Sequence, residues 1–353
     1  MKSVYSTTWK KGLKRSIQGR TSVFILADSN LPYKYLEEVE RQCKGDLPVY
    51  SFSLEGGEKI KTLEVAETIY KELINVGAER KTLMVCLGGG TITDLGGYVA
   101  STFKRGLELV LLPTTLLAMV DAAIGGKNGV NLNTEKGCLK NQIGTFLEPK
   151  FIGLNTVWLE SLPDREIRSG WAEMVKHSLL DSHSEFSKYL YVNQNIELGD
   201  LKAMIPKSAE IKQKIVNEDP LETGARASLN LGHTIAHAIE AIASNECEDV
   251  THGETVAWGL VFALECSTDF LGYEEEWRDR YIEMIIEGIN APITLHSAEQ
   301  MWEVMLTDKK NQFNNVTDVL LHPRTSTNPP KVDFIWNKNE FTKKWEDFRK
   351  KHS

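Results

Sequence analysis

Several things are scarce in this 353-residue chain. It has only five cysteines (Cys43, Cys86, Cys138, Cys247 and Cys266), and no two form a C-x-x-C pair. An odd, scattered set argues against a disulfide framework and fits reduced thiols in a reducing compartment. Long apolar runs are missing too. The richest, Val110–Val120, is about half a bilayer span and contains Pro113. The opening MKSVYSTTWKKGLKRSIQGR has no apolar core of signal-peptide length. There is no excess of basic charge: 41 Lys and Arg stand against 49 Asp and Glu, a formal net charge of −8. That disfavours nonspecific nucleic-acid binding but allows a local basic pocket for an anionic small molecule. No internal repeat, low-complexity tract or G-x-G-x-x-G fingerprint is present. The expectation is a soluble cytoplasmic protein with neither a nucleic-acid nor a membrane partner.

What remains is ordinary globular composition, 41% hydrophobic and 25% charged, at a length that suggests two domains. The first half alternates short apolar runs with helical patterns. Strands are predicted at Val23–Ala27, Val49–Leu54, Thr82–Leu87 and Leu107–Leu112, and helices at Pro32–Cys43, Thr62–Val76 and Asp94–Thr102. That alternation implies a mainly parallel sheet covered by helices. Beyond Pro163 long helical patterns take over: Ile167–Leu180, Asp200–Asn217, Ala225–Ala243, Thr251–Leu271, Glu275–Glu287 and Ala298–Thr307, with Val316–Leu321 read as a lone strand or extended segment. The predicted architecture is an α/β dinucleotide-binding domain over residues 1–162 and an all-α domain over 163–353.

Three constellations carry chemistry. Leu87-Gly-Gly-Gly-Thr-Ile-Thr-Asp94 joins a strand to a helix, where glycines admit a ligand and the helix start attracts phosphate. Asp28, ending the first strand, is placed to accept ribose hydroxyls. Glu173, His233, His237 and His252 offer a carboxylate with two or three imidazoles, a sensible set for catalytic Zn²⁺. Arg226, Asn230, His233 and His237 fall on one face if 225–243 is a single helix, and their apolar flanks point to a functional cleft rather than a solvated face. Lys127, Lys140, Asn141, Lys176, Lys212, Lys309 and Lys310 add cations and a polar group nearby in sequence.

At this point the segments GGEKIKTL (56–63), GGGTITDLGG (88–97), FKRG (103–106), PTTLLAMVDAAIGGKNGVN (113–131), KNQIGTF (140–146), LPDREIRSGWAEMVKHSLL (162–180), RASLNLGHTIAHAIE (226–240) and HGETVAWGL (252–260) together make a specific pattern. The chain resembles the 3-dehydroquinate synthase family of sugar-phosphate cyclases, over roughly residues 50 to 265. The resemblance implies NAD⁺ and a divalent metal, usually Zn²⁺ with Co²⁺ as an alternative. By motif it assigns the metal to Glu173, His233 and His252, and makes His237 a general acid/base instead of a ligand. It implies substrate contacts from Lys127, Lys140, Asn141, Lys176, Lys212, Arg226, Asn230 and Lys310. Arg105 would reach the phosphate site of a second subunit, implying a homodimer. NAD⁺ contacts would come from Asp28, Glu58, Lys61, Gly90, Thr91, Ile92, Thr93, Asp94, Thr114, Thr115, Lys127, Lys140, Trp158, Leu159 and Glu160.

The implied reaction, in the shikimate pathway to aromatic amino acids, turns 3-deoxy-D-arabino-heptulosonate 7-phosphate into 3-dehydroquinate and phosphate. Hydride transfer to NAD⁺, phosphate elimination, hydride return and an intramolecular aldol follow in order, so NAD⁺ is regenerated. A doubly anionic substrate accounts for cations gathered in an acidic protein, with Arg226 able to fork two oxygens. Two features depart from the family: the loop Leu132–Leu139 is about four residues longer than the motifs imply, and Trp171 is bulky for its place. The rival readings are a cyclase of secondary metabolism whose substrate lacks the carboxylate, a metal-dependent polyol dehydrogenase, and an inactive paralogue.

Overall fold

The structure is a computed structural model that describes residues 4–134, 137–181, 186–187, 190, 198–222, 224–307 and 315–352. The chain divides into two compact units, Met1–Pro163 with Leu201–Ala209, and Asp164–Asp200 with Glu210–Ser353.

In the first unit the strands are β1 (Val4–Ser6), β2 (Val23–Asp28), β3 (Val49–Leu54), β4 (Leu83–Gly88), β5 (Glu108–Pro113), β6 (Lys127–Thr134), β7 (Gly137–Phe146) and β8 (Phe151–Gly153). Six of them make one sheet in the order β1-β8-β5-β4-β2-β3, with every pair parallel. The central runs Val-Phe-Ile-Leu-Ala of β2 and Leu-Met-Val-Cys-Leu of β4 are buried throughout, as parallel strands covered on both faces must be. The helices are α1 (Trp9–Ile17), α2 (Tyr33–Cys43), α3 (Leu63–Asn75) and α4 (Gly90–Thr102). The connection through α2 carries the chain to one side of β2, and that through α3 brings it back to the other side. The strand order therefore reverses between β2 and β4, the point at which open α/β sheets bind ligands.

Two expectations change here. The segment Leu132–Leu139 is not a plain loop: Leu132 and Leu139 pair directly as part of the antiparallel β6–β7 ribbon. And α4 starts at Gly90, not Asp94, so the glycine loop and the first helical turn are continuous.

The second unit contains α5 (Asp164–Leu180), most of α6 (Leu198–Glu218), α7 (His233–Glu246), α8 (His252–Leu271), α9 (Glu275–Ile289), α10 (Ala298–Met305) and α11 (Lys338–His352). The expected lone strand, β9 (Val316–Leu320), pairs antiparallel with β10 (Lys331–Trp336), so this helical unit also holds a hairpin. Helix α8 is apolar on nearly every side and buried from Gly253 to Ser267 except at Trp258, with α5, α7 and α9 packed around it. Among the described residues no helix is long and apolar enough to cross a membrane. Phe262 of α8 lies 5.2 Å, ring to ring, from Trp345 and Phe348 of α11. Trp171 fits at its position because Gly288 of α9 faces it, and a Cβ there would run into the indole.

The predicted helix Ala225–Ala243 is two elements. A 3₁₀ segment, Ala225–Asn230, is followed by Gly232 at φ +76°. A Cβ on Gly232 would come 2.8 Å from Leu260 N, so the left-handed turn and the close approach both require glycine. Of the four, only His233 and His237 lie on α7, while Arg226 and Asn230 lie on the 3₁₀ segment, and the expected four-residue stripe does not exist.

Helix α11 is also held by charge. Glu265 of α8 accepts from Lys351 Nζ at 2.7 Å and from His352 at 3.0 Å. Burial would raise the Glu265 pKa, but hydrogen bonds from His352 and Lys351 and the charges of Lys351 and Lys344 outweigh it and bring it down from 4.5 to about 2. A lowered folded-state value means stability that is present above about pH 4.5 and lost as pH falls towards 2. Glu265→Gln should lower stability at pH 7 by ~1–2 kcal/mol and flatten the stability profile between those limits. Denaturant unfolding across that range checks it; a variant with the wild-type profile contradicts it.

Candidate active site

Helix α5 buries a carboxylate. Glu173 is fully buried, one turn from the equally buried Lys176, with which it forms an ion pair. Two imidazoles share the carboxylate: His252 Nε2 lies 3.2 Å and His233 Nε2 3.4 Å from Glu173 Oε1. One ligand atom from each of the three residues can be chosen so that all lie within 4.8 Å of one another. Burial opposes ionisation of Glu173, but Lys176 first, then hydrogen bonds from His233 and His252, hold it well below the ordinary carboxylate range. Burial likewise opposes charge on His252, yet Glu240 and Glu173 raise it to about 10. His237 stands beside this group, its ring centroid 5.5 Å from that of His233.

The remaining ring nitrogens are already engaged. His233 Nδ1 is 3.1 Å from Leu231 O, and His252 Nδ1 is 2.7 Å from Glu240 Oε1. With Nδ1 as the protonated nitrogen of each ring, the two Nε2 atoms that face Glu173 would become the ligating atoms when a metal takes the place of their protons. Two imidazole nitrogens and one carboxylate oxygen, with the rings so oriented, fit a divalent ion such as Zn²⁺ or Co²⁺ with a position left for substrate.

The local sequence explains the placement. Gly232 ends the 3₁₀ segment and starts α7 at His233. Helix α8 starts at His252 because Thr251 and Glu254 form a reciprocal capping box. Arg165 of α5 forks Glu254 at 2.7 and 2.8 Å, and Gly253 N donates to Ser169 Oγ at 2.9 Å. These contacts fasten the helix carrying His252 to the helix carrying Glu173.

Among the described residues, the other expected pocket cations of this unit, Lys212 and Arg226, are buried as well. Lys212 lies on α6, 7% exposed. Arg226, 3% exposed, donates from Nη1 to Pro220 O at 2.7 Å, and its backbone N–H donates to Asp219 Oδ2 at 3.0 Å. Asn230 Nδ2 donates to Glu222 Oε1 at 3.3 Å. Lys309 and Lys310 lie outside the described residues.

In the first unit, Asp28 and Gly90–Asp94, expected to hold NAD⁺, lie at the carboxyl ends of β2 and β4, where the strand order reverses, while the other expected contacts follow β3, β5 and β8 or lie on β6 and β7. Asp28 Oδ1 accepts from Asn30 N at 2.9 Å and Gly56 N at 3.0 Å. Gly90, Thr91, Ile92, Thr93 and Asp94 form the first turn of α4; Thr91 Oγ1 accepts from Gly57 N, and Ile92 and Thr93 are buried. Thr114 N donates to Gly88 O at 3.0 Å, and Thr115 Oγ1 accepts from Ala118 N at 3.1 Å. Lys61 pairs with Asp94 at 2.5 Å. Glu58 Oε1 accepts from Asn131 Nδ2 at 2.7 Å. Trp158 and Leu159 have buried side chains, Trp158 against Trp9, while Glu160 is exposed. Arg105 is exposed in a turn where both Lys104 (φ 48°) and Arg105 (φ 68°) are left-handed.

The β6–β7 ribbon presents the remaining polar residues. Gly125 and Gly126 (φ 102° and 66°) turn the chain into Lys127, the first residue of β6. The register slips between Val130 and Leu132, which sets Lys140 and Asn141 in an irregular, exposed stretch of β7, with Asn141 at φ 53°. Buried Asn131 organises it: its Oδ1 accepts from Asn141 N at 2.8 Å, while its N–H donates to Lys61 O at 2.7 Å.

Sequence reasoning singled out neither Asn131 nor Asp219, Glu240, Arg165 or Glu254. Only Glu254 had a readable signal, as the fourth residue of Thr251-His-Gly-Glu. Asp219 acts within its own turn, on Gly224 and Arg226, and the others through contacts ten or more residues away.

A family model described as 3-dehydroquinate synthase N-terminal matches residues 51–169, and its C-terminal counterpart matches 170–311. A 3-dehydroquinate synthase of Leptospira interrogans is 38% identical over 309 residues, covering 86% of this chain and 83% of the relative. One from Parabacteroides distasonis is 36% identical over 323 residues, covering 88% and 89%. The fold is shared with 2-deoxy-scyllo-inosose synthase, solved with carbaglucose-6-phosphate, NAD⁺ and Co²⁺ (TM-score 0.82, 23% identity, covering 98% and 96%). It is also shared with 2-epi-5-epi-valiolone synthase from Streptomyces hygroscopicus, solved with NAD⁺ and Zn²⁺ (TM-score 0.81, 20% identity, covering 99% and 96%). With both family models matched across residues 51–311 and relatives above 35% identity over most of their length, the chain belongs to the 3-dehydroquinate synthase family.

Proposed function

We propose that the protein converts 3-deoxy-D-arabino-heptulosonate 7-phosphate to 3-dehydroquinate and inorganic phosphate, with NAD⁺ and Zn²⁺ or Co²⁺ as cofactors. The observation that carries this is the Glu173–His233–His252 cluster, its carboxylate fully buried with Lys176 against it, in a chain of this family. When bound, the metal supplies Lewis-acid polarisation of substrate hydroxyls, and NAD⁺ accepts and returns a hydride.

The chain's own residues do the rest. Glu173, His233 and His252 hold the metal. Asp28 and the first turn of α4 hold NAD⁺, with the Lys61–Asp94 pair fixing that turn against the segment before α3. Lys176, Lys212 and Arg226 bind the substrate's anionic groups. The Arg226 backbone and one guanidinium nitrogen are already fixed by Asp219 and Pro220 O, so little order has to be created when substrate arrives. Asn230 orients a hydroxyl, and His237 moves the proton of the hydroxyl that is oxidised. Lys127, Lys140 and Asn141 contribute from the β6–β7 ribbon and Lys310 from its own segment. In this reading the enzyme works in the cytoplasm as a homodimer, and Arg105, exposed by its left-handed turn, reaches a partner subunit's phosphate site.

The shared fold favours one second reading, a cyclase acting on a sugar phosphate that lacks a carboxylate. The relatives named 3-dehydroquinate synthase are nearer in sequence, 36–38% identical against 20–23% for those two structures. Purified protein given Zn²⁺, NAD⁺ and the heptulosonate phosphate should release phosphate without accumulating NADH. Phosphate released only from a substrate without the carboxylate points to the second reading, and steady NADH accumulation points to a dehydrogenase. Arg226→Ala and Lys176→Ala should each lower kcat/KM by more than ~100-fold while NAD⁺ still binds. Glu173→Gln should lose stoichiometric Zn²⁺. Wild-type turnover in the first two, or retained Zn²⁺ in the third by metal analysis, contradicts the assignment.

A further inference from the structure

The segment His233-Thr-Ile-Ala-His-Ala-Ile-Glu240 ends in a carboxylate that neither the ligand set nor the substrate-binding group uses. Glu240 lies seven residues after His233, two turns along the same face of α7. Its side chain is only 14% exposed, a costly place for an acidic group unless it is paired. The pairing reaches across to α8: Glu240 Oε1 is 2.7 Å from His252 Nδ1. Thr255 Oγ1, fully buried on α8, lies 3.2 Å from the same carboxylate oxygen and 2.8 Å from His252 O. The other imidazole of the cluster has a neutral backbone carbonyl, Leu231 O, at its Nδ1. Glu240 faces the ring edge opposite Glu173, so it supports a ligand and is not one itself.

We propose that Glu240 is a positioning residue of the metal centre. By accepting the Nδ1 hydrogen of His252 it fixes the tautomer and ring plane that aim Nε2 towards Glu173, and it makes that nitrogen the stronger donor of the two imidazoles. Helix α7 thus supplies one ligand, His233, and the brace for another, His252. The inference rests on the reading that Glu173, His233 and His252 bind a divalent ion.

The test uses the full chain as wild type, Glu240→Gln and Glu240→Ala, each stripped with chelator and checked for native circular dichroism. Zn²⁺ affinity is measured by competition with a chromophoric chelator, and the Co²⁺-loaded proteins are compared by visible absorption. The expected result is a Zn²⁺ Kd raised about 10- to 100-fold in Glu240→Ala and less in Glu240→Gln, which keeps an acceptor without its charge. The Co²⁺ bands should shift in both variants, a change that loss of helix packing alone would not produce. Variants that match wild type within about two-fold in Kd and in Co²⁺ spectrum overturn the inference, even if they melt earlier. A wild type that binds neither ion overturns the metal reading beneath it.

Discussion

The constraint on which the second unit depends is the burial of one negative charge. Removing a carboxylate from water costs several kcal/mol unless charge and hydrogen bonds replace the lost hydration. Glu173 has Lys176 one turn away on its own helix and imidazole nitrogens from the first residues of two others. Much of the unit's unusual geometry serves that convergence: the left-handed Gly232, the capping box at Thr251 and the Arg165 fork on Glu254. Replacing a buried ion pair with apolar residues is often neutral or stabilising for a fold. Keeping Glu173 and Lys176 so completely buried is therefore better explained by chemistry than by stability.

The first unit solves a different problem, the presentation of backbone and short polar side chains at the end of a sheet. The parallel order places Asp28 and the Gly88–Gly90 turn on adjacent strands. Asp28 is held by two backbone N–H groups, and Asp94 by a buried lysine. Asn131 then ties Glu58, the Lys61 backbone and the irregular stretch of β7 together, so the residues around Lys140 are positioned through one buried amide.

Much of this could be read from the sequence, for identifiable reasons. The buried strands declare themselves as unbroken apolar runs, helices α5 and α9 by their period, and α8 by its long, almost uninterrupted apolar stretch. Local pattern failed where tertiary contacts decide. The 225–243 segment has helical periodicity throughout, but Gly232 and Gly259 must approach each other and the helix breaks. The β6–β7 ribbon is rich in Gly and Asn, which conceals its strand character. Helix α11 is highly charged, and its Phe341, Trp345 and Phe348 gain meaning only against rings distant in sequence, Phe262 among them. The proposed ligand residues were legible as residue types at suggestive spacings, and it was motif resemblance that set His237 apart from His233 and His252 as an expectation. The residues that aim them, Glu240 and Arg165 above all, were not legible, because their partners lie 12 and 89 positions away.

The proposal that Glu173, His233 and His252 form one metal centre can be checked by X-ray absorption at the zinc edge of the Zn²⁺-loaded protein. The expected spectrum has a first shell of nitrogen and oxygen at about 2.0–2.2 Å, with the outer-shell scattering of two imidazoles. Loss of one imidazole's contribution in His252→Ala should accompany it. A shell containing sulfur at about 2.3 Å, or a spectrum unchanged by that substitution, would contradict it.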